Sequence, residues 1–522
     1  MMKRRSIHLA LALTMSAAVI GACSSNGGNN DSNGGNGGTA SNGSAAETSN
    51  AGNDASKTLK PEKLVMVFPA AGEPKDMQEV SDAINKITKE KINATVKLVP
   101  IGWGAWTQQR TLMMSGKEQV DLILSGLGTY SQDVAKGQFL ELDDYLGKEG
   151  AGIKEALDNL DPEFLNATKI DGKIYAVPSI RDLAADFGIT MRKDLVDKYN
   201  IDTSSIKSLD DLDAIFKVIK ENEPDVVPTV KYGNSIIDIY VRSAFDTLSD
   251  GLGVLPGNDN NLKLVDMYEA PEYKEMLNTV RRWYLAGYVA KDAATSTETQ
   301  YNMVKAGKAF SFISHMKPGI ETQESRNTAR EMISIHFKPA ISTTSDITSI
   351  MWSVARNSVD PSRATMLLNL MYTDKDLINL FDYGIEGKHY TKVSDNVIDF
   401  PQGVDATNSG YNLQLGWMFG NQSLSYIWNG DSPDLWNQLM DFNKNATKSK
   451  ALGFIFNADA VKSEIAAVTN VTNQYKVALE TGTVDPETQL PKFIDQLKAA
   501  GIDKIIAEKQ KQLDAWAAAN GK

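Results

Sequence analysis

Beyond its first sixty residues the chain alternates short apolar runs with longer amphipathic ones. Residues 64–68 (Leu-Val-Met-Val-Phe) form an unbroken apolar run of the kind a parallel sheet buries on both faces, and 69–74, with two prolines and a glycine, read as the loop that ends it. Met77, Val80, Ile84 and Ile87 then recur at helical spacing over 76–91. A second strand over 94–99 leads into the loop Ile101-Gly102-Trp103-Gly104-Ala105-Trp106, and a helix follows over 107–115. Residues 120–124 give a third strand, stopped by Ser125-Gly126-Leu127-Gly128. The order β-α-β-α-β with right-handed crossovers predicts one parallel, doubly wound sheet. Ligands of such sheets bind beyond the carboxyl ends of the strands, where the loops carrying Glu73, Trp103, Trp106 and Tyr130 fall.

Further along, Asp171-Gly172-Lys173-Ile174-Tyr175-Ala176-Val177-Pro178 reads as a turn and then an extended segment that Pro178 keeps out of a helix. A strand-like run over 187–191 opens a helix-rich stretch that reaches 344. Within it, 209–221 is amphipathic, with Leu212, Ile215, Phe216 and Ile219 on one face and Pro224 and Pro228 beyond its end. A helix over 273–285, an apolar strand over 309–313, a candidate return strand over 350–354 and two helices within 361–379 complete the pattern. No repeat of 20–50 residues is evident.

The N-terminal stretch has a different character. Lys3-Arg4-Arg5 precedes an apolar run over 9–20, a secretory-signal shape too short to remain as a membrane-spanning helix. Gly21 and Ala22 then precede Cys23, the only cysteine among 522 residues. The arrangement resembles the lipobox of bacterial lipoproteins, departing from its commonest form at Ile20, where Leu is more usual upstream. That resemblance implies a diacylglyceryl thioether on Cys23 and removal of residues 1–22, the signal peptide. Residues 24–57 are dominated by Ser, Asn, Gly and Ala and bury too little to offset the entropy of ordering them, so 23–59 is expected to be a disordered tether. Its r.m.s. reach would be about 30–35 Å.

Composition adjusts this picture in two ways. The roughly 460 residues that remain exceed what one hydrophobic core organises, so two lobes are expected. Loss of Lys3, Arg4 and Arg5 with the signal would take the net charge from −12 to −15, which argues against nucleic acid and against a basic membrane-binding patch. After Ile20 no apolar run approaches the length of a membrane-spanning helix, so the lipid would be the only membrane anchor.

Asp-Gly-Lys-x-Tyr-Ala-x-Pro at 171–178, followed by Arg192-Lys193-Asp194-Leu195 at a helix start, resembles the extracellular solute-binding proteins of bacterial ABC importers, in the carbohydrate-oriented family. The turn-rich 383–390, the segment Trp417-Met418-Phe419-Gly420-Asn421-Gln422 and the ending around 497–504 resemble its long-chain branch. The resemblance covers nearly all of 60–522. It implies an α/β, two-lobe periplasmic-binding-protein-like fold of type II, each lobe a sheet flanked by helices, with a hinged cleft between. On this reading the first lobe is 60–180 with 350–395, and the second is 181–349 with 396–522. It also implies a monomer with no cofactor, held at the outer face of the cell membrane, that closes on a solute and delivers it to the transmembrane subunits of a permease.

Catalytic motifs are scarce. His8 lies in the signal, while His315, His336 and His389 are scattered singly, so no Cys/His metal cluster is predicted. There is no G-x-S-x-G elbow and no Walker loop. Ser204-Ser205-Ile206-Lys207 and Ser394-Asp395-Asn396 spell two of the three boxes of serine penicillin-recognising enzymes, but the K-T-G box is absent. A binder is therefore expected rather than an enzyme.

Sugar rings present apolar C–H faces rimmed by hydroxyls, and a sugar site needs aromatic plates together with hydrogen-bonding side chains. Candidate plates are Trp103 and Trp106, Tyr130, Trp352 at the return crossover, and Trp417 beside Asn421 and Gln422. Glu73, Arg181 and Asp182 would supply charge-assisted bonds. Core packing stays open for each tryptophan, and a structural ion pair stays open for Arg181. A peptide or other polar solute, or a surface enzyme acting on polysaccharide, are the alternatives left by the sequence.

Overall fold

The computed structural model describes residues 59–257, 260–406, 408–413 and 415–522. The signal, Cys23 and most of the expected tether lie outside the described residues.

The elements that matter for the site follow the alternation expected. They begin with β1 (Glu62–Ala70), α1 (Met77–Ile92), β2 (Ala94–Gly102), α2 (Trp106–Ser115), β3 (Leu122–Gly126) and β4 (Val177–Pro178). The chain then crosses into β5 (Asp186–Arg192), α3 (Leu212–Asn222), β6 (Val227–Val230), α4 (Pro271–Leu285), β7 (Ala309–Met316), α5 (Ile320–Thr328), β8 (Met332–His336) and β9 (Ile341–Ser342). It returns through α6 (Thr344–Thr348), β10 (Ile350–Val354), α7 (Pro361–Thr373) and α8 (Lys375–Tyr383), and continues to α9 (Leu435–Asn445). A third crossing, at β11 (Thr447–Lys448), leads to α10 (Lys462–Glu480), α11 (Pro486–Ala500) and α12 (Ile502–Ala519).

Among the described residues two large hydrophobic cores result, beside two small clusters. In the first, the sheet runs β2-β1-β3-β10-β4. Its first three strands are parallel, as the βαβαβ order predicts, whereas β10 returns antiparallel to β3 because it arrives from the opposite lobe. Leu64, Met66 and Phe68 of β1, Val80 and Ile84 of α1, and Met351 and Val354 of β10 are buried together. The second sheet runs β8-β5-β7-β6, and its core gathers Phe187, Ile189, Phe216, Trp283 and Ile313. Edge-on contact of Phe216 with Trp283, at 5.0 Å between centroids, locks α3 against α4.

The C-terminal third divides differently from the expected boundary at 396. Tyr411, Leu415, Met418 and Phe419 are buried in the first core and Met440 packs on it, so the segment before β11 belongs with the first lobe. Phe454, Val468, Phe493, Leu497 and Leu513 are buried in the second. The long, Gly- and Asn-rich connection over 396–434 has no periodicity that could have revealed which core its aromatic residues enter.

Candidate functional site

Three segments pass between the lobes, and they lie side by side. Ala185 and Ile341 exchange two main-chain hydrogen bonds of 2.9 Å each, and Ile341–Ser342 pairs in parallel with Thr447–Lys448. Asn443, fully buried, stitches the ribbon with its carboxamide: Leu183 N donates to Oδ1 (2.8 Å) and Nδ2 donates to Arg181 O (2.6 Å). Ser342 Oγ donates to Leu183 O at 2.6 Å. Main-chain bonds survive small rotations about the strand axes, so a laced ribbon of short strands can serve as a pivot between two rigid cores.

A chain of charges lies along this seam. Arg181 Nη1 donates to Asp182 Oδ1 (2.8 Å) and to Asp182 O (2.7 Å), while Nη2 donates to Ser349 Oγ (2.6 Å) and Asp346 O (3.1 Å). Lys317, at the end of β7, stands 3.4 Å from the other carboxylate oxygen of Asp182. Arg242 pairs with Asp346, whose second oxygen accepts from Thr343 N and Thr343 Oγ1 in a capping box at the start of α6.

Burial by itself would raise the Asp182 carboxyl, but the charges of Lys317 and Arg181 outweigh it and hold the group well below the usual carboxylate range. Burial, reinforced by Lys317, pushes His315 down to about 4, so its ring is neutral at pH 7. Tyr232 meets that ring edge-on at 6.2 Å, and burial raises its hydroxyl above the ordinary phenol value. The seam therefore offers fixed cations, fixed carboxylates, a neutral imidazole and a phenol. These are donors and acceptors that suit a hydroxyl-rich neutral ligand. Among the described residues no three His, Cys, Asp or Glu side chains converge as a metal site.

Beside the charges, a groove of about 800 Å³ separates the lobes. One wall is the loop Lys317-Pro318-Gly319 with the start of α5, the other is α9 through Gln438, Asp441 and Phe442, and the crossing segments contribute Asp186, Ala340 and Ala446. Lys317 belongs to both the groove and the charged seam.

Of the residues singled out by sequence, Arg181 and Asp182 lie in this seam. Glu73 and Trp103 lie exposed at the carboxyl edge of the first sheet. Trp106, 6% exposed, instead begins α2 and packs into the first core. Tyr130 is a correction as well: it is buried against Phe139, its hydroxyl donating to Thr168 O at 2.8 Å. Trp352 is fully buried, donating Nε1–H to Met418 O at 2.7 Å and stacking on Phe419, because β10 is an interior strand covered on both faces. Trp417 packs half-buried on the same core. Asn421 is buried and caps the next turn, accepting from Ser423 N (3.1 Å) and Ser423 Oγ (2.7 Å), while the main chain of Gln422 donates to Ile180 O. Neither amide side chain lines the groove.

Tyr232, Arg242, His315 and Ser349 were not foreseen, and they come from four separate segments. Lys317 falls within 316–319, the loop after the apolar strand that the family resemblance turns toward the cleft.

Residues 71–378 match the family model for bacterial extracellular solute-binding proteins, and 450–518 match a domain of unknown function. The chain is 31% identical over 490 residues to a carbohydrate ABC transporter substrate-binding protein of Streptococcus pneumoniae, covering 90% of this chain and 94% of that one. The crystal structure of the N-glycan transport solute binding protein (NgtS) from Streptococcus pneumoniae superposes with a TM-score of 0.80 at 30% identity, covering 89% of this chain and all of that one. The same protein in complex with Man1GlcNAc gives 0.73 at 29% identity, covering 87% and 99%. Lipoprotein LipO of Bacillus subtilis is 25% identical over 323 residues, 59% of this chain and 56% of that one.

Proposed function

The chain belongs to the bacterial extracellular solute-binding protein family, and from that premise we propose that it captures an oligosaccharide between its lobes and delivers it to the transmembrane subunits of an ABC importer. The observation that carries the reading is the placement of Arg181, Asp182 and Lys317. These bonded, oppositely charged side chains stand where two separate cores meet, on and beside the segments that join them. Hinge closure would bring the first-lobe edge, with Glu73 and Trp103, onto a solute already held by the seam, and the closed form would be what the permease reads. The chain acts here as a binder and not as a catalyst, in keeping with relatives described as binding proteins.

Attachment at the outer face of the cell membrane through an acylated Cys23 completes the proposal. It is supported by the lipobox-like sequence and by the similarity to a Bacillus lipoprotein.

Isothermal titration of the soluble form against Man1GlcNAc, Man5GlcNAc, other oligosaccharides and a peptide panel tests the ligand class. The first two are the glycans found with the Streptococcus relative. Saturable binding of at least one oligosaccharide, lost in Arg181→Ala or Lys317→Ala, is expected. Binding confined to peptides would overturn the proposal. For the anchor, mass spectrometry should find the acyl modification on Cys23, and Cys23→Ser should shed the protein into the medium.

A further inference from the structure

Leu127 is one of the few large apolar side chains left open to solvent, at 40% exposure, and its backbone lies in the left-handed region with φ +48°. For a branched side chain that region is a steric outlier, held only where the surroundings over-determine it. The surroundings do so here. Leu127 N donates to Ser349 O at 2.8 Å, and a Cβ at Gly126 (φ +97°) would come within 2.4 Å of the Ser349 and Thr348 carbonyl oxygens. The return crossover thus presses directly on the end of β3. Thr129 closes the turn, donating its N–H (3.0 Å) and its Oγ–H (3.1 Å) to Gly126 O.

The leucine, 40% exposed, is not among the side chains packed in either core, so core packing does not account for this conformation. Glycine would adopt the same turn without strain, as Gly126 and Gly128 on either side do. The loop is also tied to the charged seam, since Ser349 Oγ accepts from Arg181. Trp103, 44% exposed, stands at the carboxyl end of β2, with β1 between it and β3. Two strand spacings separate the pair by about 10 Å across the sheet edge, the length of a disaccharide.

We infer that Leu127 and Trp103 form an apolar rail on the first lobe, on which the C–H faces of successive rings of an oligosaccharide rest while Arg181, Asp182 and Lys317 engage its hydroxyls. The inference rests on the oligosaccharide reading above and names the residues that would select for chain length within it.

Leu127→Gly and Leu127→Asn both accept a left-handed backbone and both remove the apolar surface. Each is measured for its thermal midpoint and for its affinity toward Man1GlcNAc and Man5GlcNAc. The expected result is a midpoint unchanged or higher, with affinity for the longer glycan lowered about tenfold or more. Affinity retained in both variants, while the wild type binds, overturns the rail and leaves the oligosaccharide reading standing. A midpoint that falls in both variants also overturns it, because Leu127 would then be structural. If the wild type binds no oligosaccharide of the wider panel, the oligosaccharide reading falls, and the rail with it.

Discussion

Arg326 of the second lobe and Asp431 of the first-lobe segment meet at 2.9 Å across the groove, and Thr322 donates its hydroxyl to the same carboxylate. The Asp431 side chain is only 3% exposed, so this contact is more than a screened surface pair. Gly319 lies against Leu435 beside it, where an added Cβ would come within 2.7 Å of a leucine methyl. Together these contacts fasten α5 to the start of α9, on opposite sides of the seam.

A fastening between two lobes favours whichever arrangement makes it, here the one with α5 and α9 in contact. Asp431→Ala should therefore weaken solute affinity by about three- to tenfold, chiefly through faster release, and increase the radius of gyration of the free protein in X-ray scattering. Arg326→Ala should do the same, and the double variant should lose no more than either single one. Strict additivity with unchanged scattering would show that the contact is passive.

How much of this was legible in the sequence depends on what fixed each feature. Strands β1 to β3 and helix α1 follow from periodicity, because each buries its own apolar residues, whereas α2 buries Arg110 with Trp106 and Met114 and leaves Leu112 exposed. Arg181 and Asp182 were legible because they sit just beyond a proline-ended crossover segment. Trp106, Trp352 and Trp417 were not, since a strand-end aromatic and a core aromatic look the same until the covering layer is known. Trp352 is covered by Phe419, 67 residues later in a stretch without periodicity. Tyr232, His315 and Lys317 acquire a role only when two strands and a crossover converge.

Trp352 accordingly yields a prediction opposite in kind to that for a binding residue. Trp352→Ala removes a fully buried ring and its hydrogen bond to Met418 O, and should cost about 3–5 kcal/mol in denaturant unfolding. Trp352→Phe keeps most of the volume and removes one of two donors to the Met418 carbonyl, Ser179 Oγ remaining at 2.7 Å, at about 1 kcal/mol. In Trp352→Phe solute affinity should match the wild type, measured by titration well below the unfolding midpoint. A loss of affinity without a loss of stability would return Trp352 to the site.

Glu324 lies beneath the second-lobe wall with no solvent exposure, and one of its carboxylate oxygens has no partner. Burial pushes it up to about 7, outweighing the bond from Gln323 at 3.3 Å, the charge of Lys317 and the bond from Tyr301 at 3.5 Å. The folded protein therefore holds this proton at pH values where the unfolded chain has released it. With fewer protons on the unfolded state, stability must fall as pH rises from near 4.5 to about 7, and the loss is complete above that window. The full span corresponds to about 3 kcal/mol, read as an upper bound because water can reach the group during local opening. Glu324→Gln carries no titrating proton, so its unfolding free energy should be flatter across the same window and should exceed that of the wild type at pH 8. Urea unfolding at half-unit pH steps from 4.5 to 8 measures both curves. Parallel curves would mean that Glu324 is ionised in the folded protein and that its unpartnered oxygen has found water.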